Sequence, residues 1–164
     1  MTNQSKKPLT KGERNNNWGN IRYNPKIKGV IGKTPDNFSV FSSPEMGVRG
    51  IFVILKSYKD KGFDTIEEII TRYAPSSENN TRAYIQAVSR ATGIDPKKKI
   101  DIEDPAILFP LTKAIVRHEN GKDLLTFEIF ENAKSLWKGF SDSGKAAFSA
   151  FVLFALGYLL SVLK

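Results

Sequence analysis

The chain has no cysteine and a single histidine, His118, in 164 residues. The first absence excludes a disulfide framework, a thiolate nucleophile and any cysteine-based zinc or iron–sulfur centre. The second excludes a histidine-built metal site, so neither a metal nor a cofactor is expected. Acid is scarce at one end: within the first 34 residues Glu13 is the lone carboxylate among eight lysines and arginines. That stretch also lacks the apolar core of a secretory signal, so export by that route is not expected. Carboxylates, hydroxyls and amides remain as candidates for chemistry.

What is present is unevenly placed. The formal charge is +8 and the mean hydropathy −0.31, yet residues 146–163 carry no charge at all. As a helix this run would span roughly 27 Å, the thickness of a hydrocarbon core. Lys134, Lys138 and Lys145 precede it and only Lys164 follows, so the positive-inside rule keeps residues 1–145 on the cytoplasmic face of a tail anchor. A lipid membrane is thus an expected partner through residues 146–163. The basic stretch lacks any RRM, zinc-finger or helix-turn-helix signature and the aromatic interleaving of a single-strand platform, so nucleic acid is not an expected partner.

Punctuation divides the rest. Residues 1–10 read as a flexible basic arm, too polar to offset the entropy of ordering. Asn15 to Pro25 is dense in turn formers, and the alternation Phe38-Ser39-Val40-Phe41 suits a short strand. Ser43 as N-cap with Pro44 behind it opens a helix carrying Val48, Ile51, Phe52 and Leu55. Asp64, with Glu67 three residues on, opens a second that ends before Pro75. A third begins near Asn80 with Tyr84, Ile85 and Val88 on its apolar stripe, and Asp104-Pro105 opens a fourth that runs to Gly121 with a kink or break at Pro110. Phe127, Phe130, Leu136 and Trp137 mark one more, before a polar hinge.

The segments Lys11 to Pro25 (KGERNNNWGNIRYNP), Phe38 to Tyr58, Thr65 to Ile94 and Ala114 to Gly121 (AIVRHENG) together resemble a bacteriophage virion-protein family with the signature RGxRNNNPxNIR, itself distantly similar to lysozyme-like glucosaminidases and lytic transglycosylases. Trp18 stands where that family has proline, and the PDNFSVF segment replaces a glycine-rich version. The resemblance, which covers residues 11–121, implies an α+β, mainly α fold there: a lysozyme-like helical domain with a short β element. The residue pattern beyond it adds a helix and hinge over 122–145 and a single C-terminal transmembrane helix over 146–163.

It also implies a function. The expected activity is cleavage of peptidoglycan glycan strands, of lysozyme or lytic transglycosylase type, by a virion protein held in a virion or host membrane. Glu13 takes the place of the family's acid, and such an acid needs a raised pKa, as in the familiar lysozyme case. Tyr84 would orient or stabilise charge, though it also reads as a core tyrosine. Asn17, Gly19, Asn20, Arg22 and Tyr23 would line the cleft and bind substrate. Glu119, in the polar helix end Arg117-His118-Glu119-Asn120, is the second candidate acid and reads first as structural. The alternative function is a noncatalytic virion structural protein that links membrane and capsid or binds glycan, with capsid or other virion proteins as partners.

Overall fold

Residues 8–77 and 80–137 are described by the structure, a computed structural model. In chain order the described elements are helix α1 (Lys11–Arg14), strands β1 (Val30–Lys33) and β2 (Ser39–Phe41), and helices α2 (Pro44–Lys59), α3 (Ile66–Tyr73), α4 (Thr81–Thr92), α5 (Pro105–Asn120) and α6 (Phe127–Ser135). The strands pair antiparallel, with an irregularity between Val30 and Gly32, and an Arg22–Phe38 bridge extends the ribbon toward the preceding turn.

Each helix starts where a side-chain oxygen relieves the unpaired N–H groups of its first turn. Ser43, Asn80 and Asp104 cap α2, α4 and α5, as the punctuation predicts. The second helix starts one residue later than expected. Thr65 is its cap, in a reciprocal box with Glu68, because Asp64 is drawn instead to Lys99 Nζ at 2.8 Å. A further box, Thr10 with Glu13, forms the short α1, an element the punctuation does not mark. Pro110 neither breaks α5 nor ends it: the helix continues to Asn120, its interior face held by Leu108, Leu111 and Ile115, all fully buried.

The core gathers on α2. Phe52 meets Phe130 edge-on at 5.4 Å and Trp137 at 5.5 Å, which ties α6 to the same core as the rest. Along α2 the small residues Gly47 and Gly50 let other backbone approach. A Cβ on Gly50 would meet the Phe41 ring at 2.8 Å, and one on Gly47 would run into the Asn16 carbonyl oxygen.

The expected fold class needs one correction. Among the described residues the protein is a mostly helical α+β structure of six helices and one two-stranded sheet, and no helix there is long and apolar enough to cross a membrane. The span expected at 146–163, and with it the tail anchor and the orientation inferred from flanking lysines, lies outside the described residues.

Because the Asn16 carbonyl is backbone and cannot swing aside, Gly47→Ala should cost about 1–3 kcal/mol, the usual penalty of overpacking. Gly32→Ala, where the nearest atom is 4.0 Å away, should cost far less. Denaturant titration of the two variants measures the contrast.

Candidate functional site

The asparagine-rich turn after α1 is held from inside. Asn17 is 1% exposed, and its carboxamide is fully used: Nδ2 donates to the Ile21 carbonyl at 3.0 Å and the Ser39 carbonyl at 2.9 Å, while Oδ1 accepts from the Ile21 N–H at 2.8 Å. Asn16, at φ +50°, donates to the Phe41 carbonyl. Asn120 closes the turn from the far side, donating to the Trp18 carbonyl at 2.8 Å and accepting from the Thr10 hydroxyl. Asparagine tolerates the left-handed conformation and carries both donor and acceptor, which is why this residue type recurs here.

The turn delivers its outer edge to a cleft of about 700 Å³. Residues 19–24 and Phe38 line it on one part, Ile54 and Tyr58 from α2 and Arg72 to Pro75 from the end of α3 on another, and Glu119 from the last turn of α5. Gly19 is required by contact: the Tyr73 hydroxyl donates to its carbonyl at 2.6 Å, and a Cβ there would come within 2.7 Å of Ile51. Glu119 is gripped at both oxygens. Tyr84 donates its hydroxyl to Oε1 at 2.9 Å and Asn20 donates Nδ2 to Oε2 at 2.8 Å. Burial, and then the Glu119 charge, push the Tyr84 and Tyr73 hydroxyls well above the ordinary tyrosine value, so both keep their protons.

Glu13 is placed differently. Its carboxylate accepts the Thr10 N–H at 2.7 Å in the α1 capping box and pairs with Lys122 Nζ at 2.8 Å. Those contacts, the Lys122 hydrogen bond foremost, hold its pKa below the ordinary glutamate value. This reverses the raised value expected of a glycosidic acid, and Glu13 is not among the cleft-lining residues. The neighbouring Arg14 guanidinium points to the Leu9 carbonyl.

Of the residues singled out from sequence, the structure brings Gly19, Asn20, Arg22, Tyr23 and Glu119 into the cleft lining and sets Tyr84 behind Glu119 as its hydrogen-bond donor. Asn17 is a buried brace with no spare amide hydrogen for a ligand, and Glu13 belongs to the α1 cap. His118 stacks on the Tyr84 ring, centroids 3.5 Å apart and nearly parallel. Burial lowers its pKa, against the pull of Glu119. No group of three or more candidate metal ligands occurs among the described residues.

No family model matches the chain. Over 93 residues it is 38% identical to Protein P5 of Pseudoalteromonas phage PM2, a stretch that covers 56% of this chain and 56% of that protein. The chain is similar to a bacteriophage protein. It spans about half the length of the curated relative it matches. The match carries the phage part of the resemblance drawn from the motifs, while the lysozyme-like part rests on those motifs alone.

Sequence reasoning passed over Tyr58, Tyr73 and Arg72. Tyr73 sits on the same helical stripe as Ile66, Ile69 and Ile70, so periodicity counts it as core, and in fact its ring is half-buried with the hydroxyl on Gly19. The Pro75 that ends this helix is the one local sign that its last turn borders a surface.

The contribution of Glu13 to stability should follow its lowered pKa. It is complete above the ordinary carboxylate value and fades as pH falls through the lower folded value. Glu13→Gln should therefore reduce stability at pH 7, by up to about 1 kcal/mol for a part-buried pair that solvent still screens, and the gap to the parent should close as the carboxylate is protonated in acid. Thermal melts across that range test it.

Proposed function

We propose that the chain is a bacteriophage virion protein whose Glu119 cleft binds glycan of the bacterial cell wall. The observation that carries the reading is the make-up of the cleft: the rings of Tyr23, Tyr58, Tyr73 and Phe38 beside the Asn20 and Asn24 side chains, with one positioned carboxylate. Sugars present apolar C–H faces and a rim of hydroxyl and N-acetyl groups, which aromatic faces and amides match together. The similarity to a phage protein supports the setting, since a particle that enters or leaves a walled cell meets peptidoglycan. In this reading the protein is a structural component of the particle that recognises glycan, with other virion proteins as neighbours.

A second reading is favoured by Glu119 itself. A carboxyl group fixed at the wall of a sugar-sized cleft can, in its protonated form, donate that proton to a glycosidic oxygen and take one back as carboxylate, and a single-acid scheme needs no second carboxylate at set spacing. On that reading the activity is peptidoglycan cleavage of lysozyme or lytic transglycosylase type. Glu119 is its acid, Tyr84 positions Glu119, and Asn20 does the same from the other oxygen. Glu13, spent on its cap and on Lys122, has no part in it.

Incubating the full chain with purified peptidoglycan separates the two. Co-sedimentation that falls at least about fivefold in Tyr58→Ala, a stacking loss of about 1 kcal/mol, with no sugar fragments released, is expected of a binding protein. Release of fragments, read by mass spectrometry, that stops in Glu119→Gln and continues in Glu13→Gln is expected of the enzyme. Neither sedimentation nor release overturns both.

A further inference from the structure

Three cations of the basic amino-terminal stretch meet in the fold. Lys11 Nζ lies 3.5 Å from the centroid of the Phe38 ring and also pairs with Asp36, and the Arg22 guanidinium lies 4.4 Å from the same ring. Lys33 Nζ stands 5.5 Å from the Tyr23 ring. Phe38, Tyr23 and Arg22 all line the cleft, so three cations that are scattered in sequence gather on its aromatic wall. A fourth comes from elsewhere in the chain. Arg72, in the last turn of α3, lines the same cleft from the side of Tyr73, with its guanidinium 4.9 Å from the Phe63 ring.

Arg72 carries its charge into the cleft without a carboxylate beside it. Lys11, Lys56, Lys59, Lys99, Arg117, Lys122 and Lys134 each have a carboxylate within ion-pair distance, and Arg72 enters none of the described ion pairs. Its guanidinium lies over the Phe63 ring, a contact made with the cationic plane that uses none of its N–H donors. Its charge is felt within the cleft, where it opposes the effect of burial on the Tyr58 hydroxyl. Among the lining residues the charged groups are two cations, Arg22 and Arg72, and one acid, Glu119, already met by two donors.

We infer that the cleft selects glycans that carry carboxylates over neutral ones, with Arg72 as the residue that reads the negative charge and Arg22 assisting from the turn. The inference rests on the glycan reading of the same site and narrows it to a substrate class. A neutral polysaccharide needs the aromatic faces and amides and gains nothing from the cations. An acidic one gains a charge-assisted, bidentate contact in a concave site, where such contacts are stronger than on an open surface. The carboxylate would sit toward the α3 side of the cleft, away from Glu119, since like charges in one site repel.

The test compares two forms of one ligand on the full chain: a soluble peptidoglycan tetrasaccharide with free carboxylates, and the same compound with those carboxylates amidated. The acidic form should bind about tenfold tighter at low salt, the worth of one added charge-assisted contact. That ratio should shrink toward one as ionic strength rises from about 0.05 to about 0.5 M. Arg72→Gln should bring the ratio near one at low salt, and Arg72→Lys should keep part of it. Arg90→Gln, whose side chain borders a different groove, should leave the ratio as in the parent. Equal binding of both forms by the parent, or an equal loss for both in Arg72→Gln, overturns the charge selection and leaves glycan binding standing. Binding of neither form overturns both.

Discussion

Everything on the cleft side of the molecule depends on one buried carboxamide. Asn17 has no access to water, so its three hydrogen bonds are made to protein or not at all, and each buried group left without a partner would cost about 1–3 kcal/mol. By reaching Ile21 and Ser39 together it fixes the turn to β2. A turn held at that point can be irregular everywhere else. It places positive φ at Asn16 and Asn20 and presses its backbone against α2 at Gly47.

The consequences run outward from that brace. With the turn seated, Gly19 lies close enough to Tyr73 for the tyrosine hydroxyl to bond to its carbonyl, and Asn20 projects to Glu119. The two asparagines therefore divide the labour of one short sequence: Asn17 spends its amide on the fold, and Asn20 spends its own on the site. Asn120 repeats the first role from α5, one residue after Glu119, so the carboxylate is framed by a brace on its own helix and a donor from the turn. Tyr84, clamped between His118 and Glu119, adds a third support.

Much of the scaffold was legible because its signals are local. Caps, proline at the first helical turn and terminal glycine announce α2, α4 and α5 through interactions that reach only three or four residues, and the structure agrees with them at Ser43, Asn80, Asp104, Gly93 and Gly121. The exceptions are also local in origin. Asp64 and Thr65 compete for one cap, and a lysine 35 residues away decides between them. The site was less legible. The contacts that assign Glu13 and Glu119 to different tasks join residues about a hundred positions apart, Glu13 to Lys122 and Asn20 to Glu119, and no spacing rule reports them. Asn17 and Asn20 are the same residue type in the same turn, and burial alone separates brace from lining.

The position of Glu119 carries a final physical argument. The last turn of a helix presents unpaired carbonyls and the negative end of its dipole, which makes it a poor place for a carboxylate. Ordinary surface chemistry would leave such a side chain free to turn toward solvent. Here both oxygens are held, by a tyrosine hydroxyl that keeps its proton and by an amide from a turn that is itself braced. The order of these supports matters. Tyr84 is positioned by its stack on His118 in the same last turn, and Asn20 by the turn that Asn17 anchors, so neither donor depends on Glu119 for its own place. A carboxylate held at an unfavourable helix end by donors that are fixed independently is arranged to face the cleft rather than to stabilise the helix. That distinguishes it from Glu13, whose contacts with the Thr10 cap and Lys122 account for it within the fold.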